Sequence, residues 1–433
     1  MNPNQPRTAR WELLVRALHA PNYRLFFEGQ TISLIGTWMT RTASRWLVYR
    51  LTSSAFLLGL TSFAGQAPLF FLAPFAGVWV DRWNRRRTLV ATQVLSMLQS
   101  FALAALALGG VITIWEVIVL VLFQGLINAF DMPARQTFVV EMIERREDLG
   151  NAIALNSSMV NGARLVGPAI AGVVIGAVGE GYCFLGDGIS YLAVIASLLA
   201  MRFRPAAEAA RRAKPELAGE LADGFHYVRK SRPISVILLF LALVSFFGAP
   251  YTVLMPIFAG TVLHGSAYTL GWLMAAAGLG ALTGAVTLAM RPSVLGLGRV
   301  ILWSSSLFGI GLVGLGLSRA LWISLIAVAA SGFGLMRHMA STNTILQTIV
   351  EENKRGRVMA YYAMAFQGVT PFGSLVGGAV AARIGAPWTT VGAGLICLAG
   401  AACFARLLPG LRRAMHPIYV ERGIIPAAPA PEP

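Results

Sequence analysis

The chain has 433 residues, of which 56% are hydrophobic and only 12% charged, with a mean hydropathy of +0.66. A soluble domain carries about 25% charged residues, so a water-soluble globule is excluded. The net charge of +16 would suggest nucleic acid in a soluble protein, but here the cations sit in short loops between apolar runs. The positive-inside bias and anionic headgroups select that distribution, so a nucleic-acid partner is not expected.

The N-terminal segment, residues 1–21, is polar and basic. It has no apolar core and no small-residue cleavage site, so the first span is expected to act as its own insertion signal. Apolar runs long enough to cross about 30 Å of hydrocarbon lie near residues 24–50, 54–80, 87–110, 114–141, 149–178, 181–203, 234–262, 267–291, 297–317, 320–348, 356–384 and 387–408. The expectation is an all-α polytopic membrane protein with about twelve transmembrane helices. Residues 22–203 and 234–408 form two six-helix halves, joined by a linker at 204–233 and followed by a tail at 409–433. Arg82, Arg85, Arg86, Arg87, Arg145, Arg146, Arg291, Arg299, Lys354, Arg355 and Arg357 fall on one side with the basic linker. The opposite loops hold only Arg50, Glu180, His264, Arg319 and Arg383, so both termini are expected in the cytoplasm.

Within the linker, Leu217, Leu221, Phe225 and Val228 recur at helical spacing, with Glu216, Glu220, Asp223 and Arg229 on the other side. This predicts an amphipathic helix, lying either on the membrane surface or against the protein. An internal repeat links the halves. Ser54-Ala55-Phe56-Leu57-Leu58-Gly59 reappears as Ser266-Ala267-Tyr268-Thr269-Leu270-Gly271. Gly150, Ala154, Gly162, Gly167, Gly172 and Gly179 match Gly356, Ala360, Gly368, Gly373, Gly378 and Gly385 at one constant offset. Small residues four apart, at Gly172 and Gly176, Gly280 and Gly284, and Gly373 and Gly377, have the spacing for close helix contact in lipid. The literal dinucleotide pattern from Gly309 to Gly314 lies inside an unbroken apolar span and reads as helix packing.

Ionisable side chains inside spans are costly and become functional candidates when they face protein or water. The first span holds Arg41 and Arg45 one turn apart, with Glu28 near its start. The fourth holds Asp131 and Arg135 across Pro133, and the fifth holds Arg164. The tenth holds Arg337 and His338, then Asn343 and Gln347. These cations would favour an anionic or zwitterionic solute, with guanidinium forks suited to carboxylate or phosphate. The alternative for Arg41 and Arg45 is snorkelling towards the outer interface. Asp131 is the candidate proton site, and a fixed ion pair with Arg135 or Arg164 is its structural alternative. Cys183, Cys397 and Cys403 and the five histidines show no metal-ligand spacing. No phosphate loop is present, so neither an enzyme nor a cofactor or metal is expected.

The sequence Gly77-Val78-Trp79-Val80-Asp81-Arg82-Trp83-Asn84-Arg85-Arg86 resembles the loop between the second and third helices of the major facilitator superfamily. Further residues resemble its enterobactin exporter-like branch: Asp131-Met132-Pro133-Ala134, Asn151-Ala152, the run from Arg164 to Gly172, and Gly224-Phe225-His226-Tyr227-Val228. The resemblance implies two parallel six-helix halves, a central cavity lined by helices one, four, seven and ten, and rocking faces where helix five crosses eight and two crosses eleven. It also implies a cytoplasmic latch of Gly77, Asp81, Arg82, Arg85 and Arg86, with Asp81 capping the eleventh helix and Arg85 reaching Glu141 or Glu144. Gly162, Gly167, Pro168 and Gly172 resemble an exporter signature. Two departures stand out: Asn84 replaces the usual loop glycine and is expected to take a left-handed turn conformation, and Val121 occupies the place of the antiporter arginine before Gln124-Gly125. The expected function is secondary efflux of a small amphipathic or anionic compound, siderophore-like or drug-like, by alternating access with protons as the coupling ion. The alternatives are uptake, lysophospholipid flipping, or a non-transporting scaffold or sensor. A monomer in contact with membrane lipids is expected.

Overall fold

The computed structural model describes residues 16–143, 145–202, 217–248, 250–291 and 293–425, and these are overwhelmingly helical. A short turn at Arg16–His19 leads into α1 (Pro21–Thr52), followed by α2 (Ala55–Arg82), α3 (Arg85–Leu108), α4 (Ile114–Met142), α5 (Leu149–Val178) and α6 (Glu180–Ala200). The linker helix is α7 (Leu217–Lys230). After it come α8 (Arg232–Leu243), α9 (Tyr251–Ile257), α10 (Ala267–Ala289), α11 (Leu297–Leu317), α12 (Leu321–Ile349), α13 (Arg355–Ala363), α14 (Thr370–Ile384) and α15 (Ala386–Glu421). Among the described residues, 10 helical stretches are long and apolar enough to cross a bilayer. The first helix, 32 residues long, is more polar because it carries Arg24, Glu28, Arg41, Arg45 and Arg50.

Local chemistry sets the helix ends. Ser54 Oγ accepts the Leu57 N–H at 3.3 Å, and Thr113 and Glu116 form a reciprocal capping box at the start of α4. Gly179 ends α5 at φ 96° and Gly385 ends α14 at φ 85°. These two glycines match in the internal repeat, and both sit where an L side chain would be strained. Asn84 differs from the expected left-handed turn. At φ −69° it is extended, and its Oδ1 accepts the Arg87 N–H at 3.0 Å as the cap of α3. An amide side chain that can cap a helix has no need of the glycine-like conformation.

The seventh and eleventh expected spans are not simple α-helices. A π-turn at Val244–Gly248 separates α8 from α9, another at Phe258–Val262 follows α9, and a third at Met364–Gly368 separates α13 from α14. The twelfth span continues to Glu421, beyond the expected end at residue 408. Arg422, just after it, donates to the Val350 carbonyl at 2.7 Å, at the end of α12.

By contacts the chain divides into two units, Met1–Arg212 with Met255–Ala275, and Ala213–Leu254 with Ala276–Pro433. In the first unit, Tyr23, Phe26, Val80, Leu89, Phe138, Met142 and Leu198 form one buried cluster at one end of the helices. The N-terminal turn docks on the start of α5, where Ala17 N–H donates to Asn151 Oδ1 at 2.9 Å and Tyr23 Oη donates to the Ala152 carbonyl at 2.7 Å. A Cβ on Gly125 would lie 2.6 Å from the Gly65 carbonyl, and one on Gly65 would lie 2.7 Å from a Val121 methyl. The α2–α4 contact therefore occupies the side of α4 where an arginine at position 121 would need room.

In the second unit, α7 packs on the protein. Asp223 and Arg357 pair at 3.4 Å, Lys354 lies over the Tyr227 ring at 5.8 Å, and the Phe225 and Tyr361 rings are 6.5 Å apart. Gly280 and Gly284 meet the backbone of α12 at Ala329 and Phe333, while Gly373 meets the Phe246 carbonyl. These glycines serve packing inside one unit, the close helix contact that their spacing led one to expect. The spacing of small residues marks a close-contact face but does not identify the partner helix.

Candidate functional site

The polar interior of the first unit is built on α3 and α4. Asp131 is buried on α4, one turn from Arg135. Its Oδ1 accepts Thr92 Oγ1–H at 2.9 Å and Gln93 Nε2–H at 2.7 Å, and its Oδ2 pairs with Arg135 Nη2. The carboxylate is thus held by three donors from two helices, an arrangement that stabilises its charge inside an apolar bundle. Arg135 keeps a buried Nε with no hydrogen-bond partner among the described groups, so its fork retains a donor.

A second group surrounds Trp38 on α1. The Arg41 guanidinium lies 5.0 Å from the Trp38 ring centroid and that of Arg164 lies 5.6 Å from it. Gly167 permits this approach, because a Cβ there would sit 2.5 Å from Trp38 Cβ and 2.9 Å from the Ile35 carbonyl. Arg45, one turn further along α1, is within electrostatic reach of both Arg41 and Arg164. Among the described residues no acidic side chain lies within ion-pair distance of these three arginines. Two guanidiniums on an aromatic face with a third close by make a site complementary to an anion, the two cation–π contacts being worth about 0.5–2 kcal/mol each.

At the α2–α3 corner, Arg85 Nη1 pairs with Glu141 Oε1 at the end of α4. Arg86 donates to the Leu198 and Leu199 carbonyls at 2.8 Å each, satisfying the C-terminus of α6. Arg82 is exposed in the last turn of α2, and Gly77 lies inside the same helix. Glu144 and the side chain of Asp81 lie outside what the structure describes.

The exporter-like residues separate by role. Gly167 faces α1, whereas Gly172 faces α10, where a Cβ would lie 2.7 Å from Gly271 Cα. Gly162 has no neighbour within 4 Å. Pro168 is buried within α5. The candidates on the tenth span, α12, do not gather at one place. Arg337 lines a cavity with Arg291 and Arg299 on the face towards α10 and α11. Asn343 and Gln347 bond to each other one turn apart. His338 is buried edge-on against Phe240 at 5.1 Å.

Two features escaped the sequence reading. The first is a buried polar face on α3 comprising Thr92, Gln93, Ser96, Gln99 and Ser100. Ser96 Oγ accepts from Gln124 Nε2 at 3.1 Å, Gln99 Nε2 donates to the Leu120 carbonyl at 3.2 Å, and Ser100 Oγ donates to Asp187 Oδ2 at 3.0 Å. The 92, 96, 99 spacing was a legible signal, since five polar residues on one face of an apolar helix need partners. The second is Asp187 on α6. It is 1% exposed and faces inward against α1, where a Cβ on Gly36 would lie 2.7 Å from its Oδ1.

Comparison with known proteins agrees with this architecture. A family model described as a transmembrane secretion effector matches residues 16–417. The staphyloferrin A transporter of Staphylococcus aureus is 26% identical over 82% of this chain and 88% of its own length. Macrolide efflux protein A of Streptococcus pyogenes is 23% identical over 87% and 95%. The multidrug efflux pump Tap of Mycolicibacterium fortuitum is 27% identical over 81% and 87%. Among solved structures, a bacterial homologue of the lysosomal transporter Spinster superposes with a TM-score of 0.67 at 13% identity, covering 98% of this chain and 100% of that one. The nucleoside transporter NupG superposes with a TM-score of 0.67 at 13% identity, covering 89% and 98%.

Proposed function

The chain belongs to the family of transmembrane secretion effectors within the major facilitator superfamily, a family of membrane transporters, and on that premise we propose that it exports a small anionic or amphipathic compound by proton antiport. In this reading residues 22–203 and 234–408 are two six-helix halves, the protein works as a monomer, and both termini lie in the cytoplasm. The efflux names of its relatives, the basic loops on one side, and the common conformation of Gly179 and Gly385 support it.

The observation that carries the proposal is the arginine group around Trp38. Arg41, Arg45 and Arg164, none of them in an ion pair among the described residues, would bind the anionic part of a solute, and Trp38 would receive an apolar or aromatic part. Asp131 would carry the proton. Protonation breaks its pairing with Arg135, which frees a guanidinium fork for the solute, and deprotonation restores the pair and releases the solute. The Arg85–Glu141 pair, with Asp81, would bias one state of the alternating-access cycle as a latch at the cytoplasmic ends of α2, α3 and α4. Counterflow in liposomes, with and without an imposed pH gradient, tests the whole reading. Anionic siderophore-like and drug-like compounds should exchange across the bilayer and accumulate only with the gradient, and absence of exchange for every anionic compound would overturn the anion assignment.

A further inference from the structure

The second unit contains a cavity of about 520 Å³ at the ends of α10 and α11, closed on one side by α12. Three arginines line it. Arg291 follows α10, Arg299 lies in the first turn of α11, and Arg337 comes from the middle of α12. The rest of the lining is mainly apolar, and among the described residues no acidic side chain contributes to it.

The arginines have few commitments elsewhere. Arg291 Nη2 donates to the Leu295 carbonyl at 2.9 Å, and the Arg337 guanidinium lies 5.2 Å from the Phe333 ring centroid. Arg337 Nε is buried with no hydrogen-bond partner among the described groups. Arg291 and Arg337 are within electrostatic range of each other, so like charges converge without a counter-charge. The N-terminus of α11, capped by Gly296 at φ 80°, adds its partial positive charge to the same space.

The surroundings identify the anion. Trp303, one turn beyond Arg299, is 73% exposed, and Ile310 is 58% exposed further along α11. In a membrane-spanning helix such residues meet lipid, and tryptophan favours the boundary between headgroups and acyl chains. From Arg299 to Leu307 is about 12 Å along the helix at about 1.5 Å per residue, so the cavity runs from headgroup level into the upper acyl region. We propose that this cavity binds the phosphate of an anionic glycerophospholipid, with Arg291, Arg299 and Arg337 holding the phosphate oxygens and Trp303 packing on the adjoining glycerol and acyl carbons. A free phosphate would satisfy the arginines but would gain nothing from the apolar wall. This lipid site stands independently of the efflux reading, which only assigns it to the cytoplasmic leaflet.

The test uses the purified full-length protein in mixed micelles containing brominated lipids. The fluorescence of wild type minus that of Trp303→Phe isolates the quenching of Trp303. Brominated phosphatidylglycerol should quench that signal at a mole fraction about fivefold lower, per arginine engaged, than brominated phosphatidylcholine. Arg299→Gln with Arg337→Gln should erase the preference and leave the phosphatidylcholine curve unchanged. Inorganic phosphate at millimolar concentration should not displace the anionic lipid. Equal quenching by the two lipids, a preference that survives in the variants, or displacement by inorganic phosphate would each overturn the proposal. If the double variant does not fold, Arg299→Gln alone, at an exposed position, should still reduce the preference about fivefold.

Discussion

The interiors of the two halves use different chemistry. In the N-terminal half, buried carboxyl groups at Asp131 and Asp187 meet hydroxyls and an amide from α3 and a guanidinium from α4, while guanidiniums from α1 and α5 gather on Trp38. From Arg232 to Val350, through the spans of the C-terminal half up to α12, the sequence contains no Asp or Glu at all. Polar side chains there mainly serve the backbone, as when Ser305 donates to Ile301 and Ser331 to Ala327. Its close contacts are made by glycine against backbone, and π-turns interrupt α8, α9 and α13. Buried carboxyl groups with side-chain partners are therefore found in one half, while π-turns interrupt the spans of the other.

The largest expected effect tests this division. Asp131→Leu leaves the half-buried Arg135 and the α3 donors Thr92 and Gln93 without their acceptor and should destabilise the protein by about 3 kcal/mol, seen as a lowered melting temperature in detergent. His338→Phe, in the C-terminal half, replaces one ring by another against Phe240 and should cost less than about 1.5 kcal/mol. Similar losses in both would remove the contrast. Asp131→Asn keeps the shape and should abolish accumulation driven by a pH gradient while preserving solute exchange. Gradient-driven accumulation by this variant would locate coupling elsewhere.

Next in size are the arginines. Replacing Arg41, Arg45, Arg135 or Arg164 with glutamine should weaken solute binding by roughly ten- to a hundredfold, consistent with a charged hydrogen bond of about 1.5–3 kcal/mol, and lysine should recover part of it. Calorimetry that finds the glutamine and lysine series equal would return these residues to packing. A smaller effect is expected at Asp187. Asp187→Asn should lower stability by about 1–3 kcal/mol as the charged partner of Ser100 is lost, and Ser100→Ala combined with it should add little. Full additivity in that double-mutant cycle would show that the two do not interact.

The smallest effect belongs to the latch. The Arg85 and Glu141 side chains are 29% and 41% exposed, and such a pair is worth about 0.2–1 kcal/mol. Arg85→Ala should therefore shift the accessibility of single cysteines placed along α1 and α4 only a few-fold towards the inward-open pattern, with insertion unchanged. Unaltered labelling together with normal transport would remove the latch assignment.

Some of this was readable along the chain. Hydropathy located ten of the twelve expected spans, because each segment must bury or expose its own apolar surface regardless of its neighbours. The basic loops, the glycine repeat at constant offset and the Asp131–Arg135 pair were legible for a similar reason, since each depends on local spacing or on one helical turn.

What only the tertiary structure decided was which face meets which helix. Periodicity puts Thr92, Ser96 and Gln99 on one side of α3, but only packing brings Thr92 to Asp131 and Ser100 to Asp187. It also turned Arg337 towards Arg291 and Arg299 instead of into a common site with Asn343 and Gln347. Gly280 and Gly284 were set against α12, and the seventh and eleventh spans were broken at π-turns. In each case the deciding quantity is the contact between helices distant in sequence, and a helix's own periodicity leaves its rotation and its partners open.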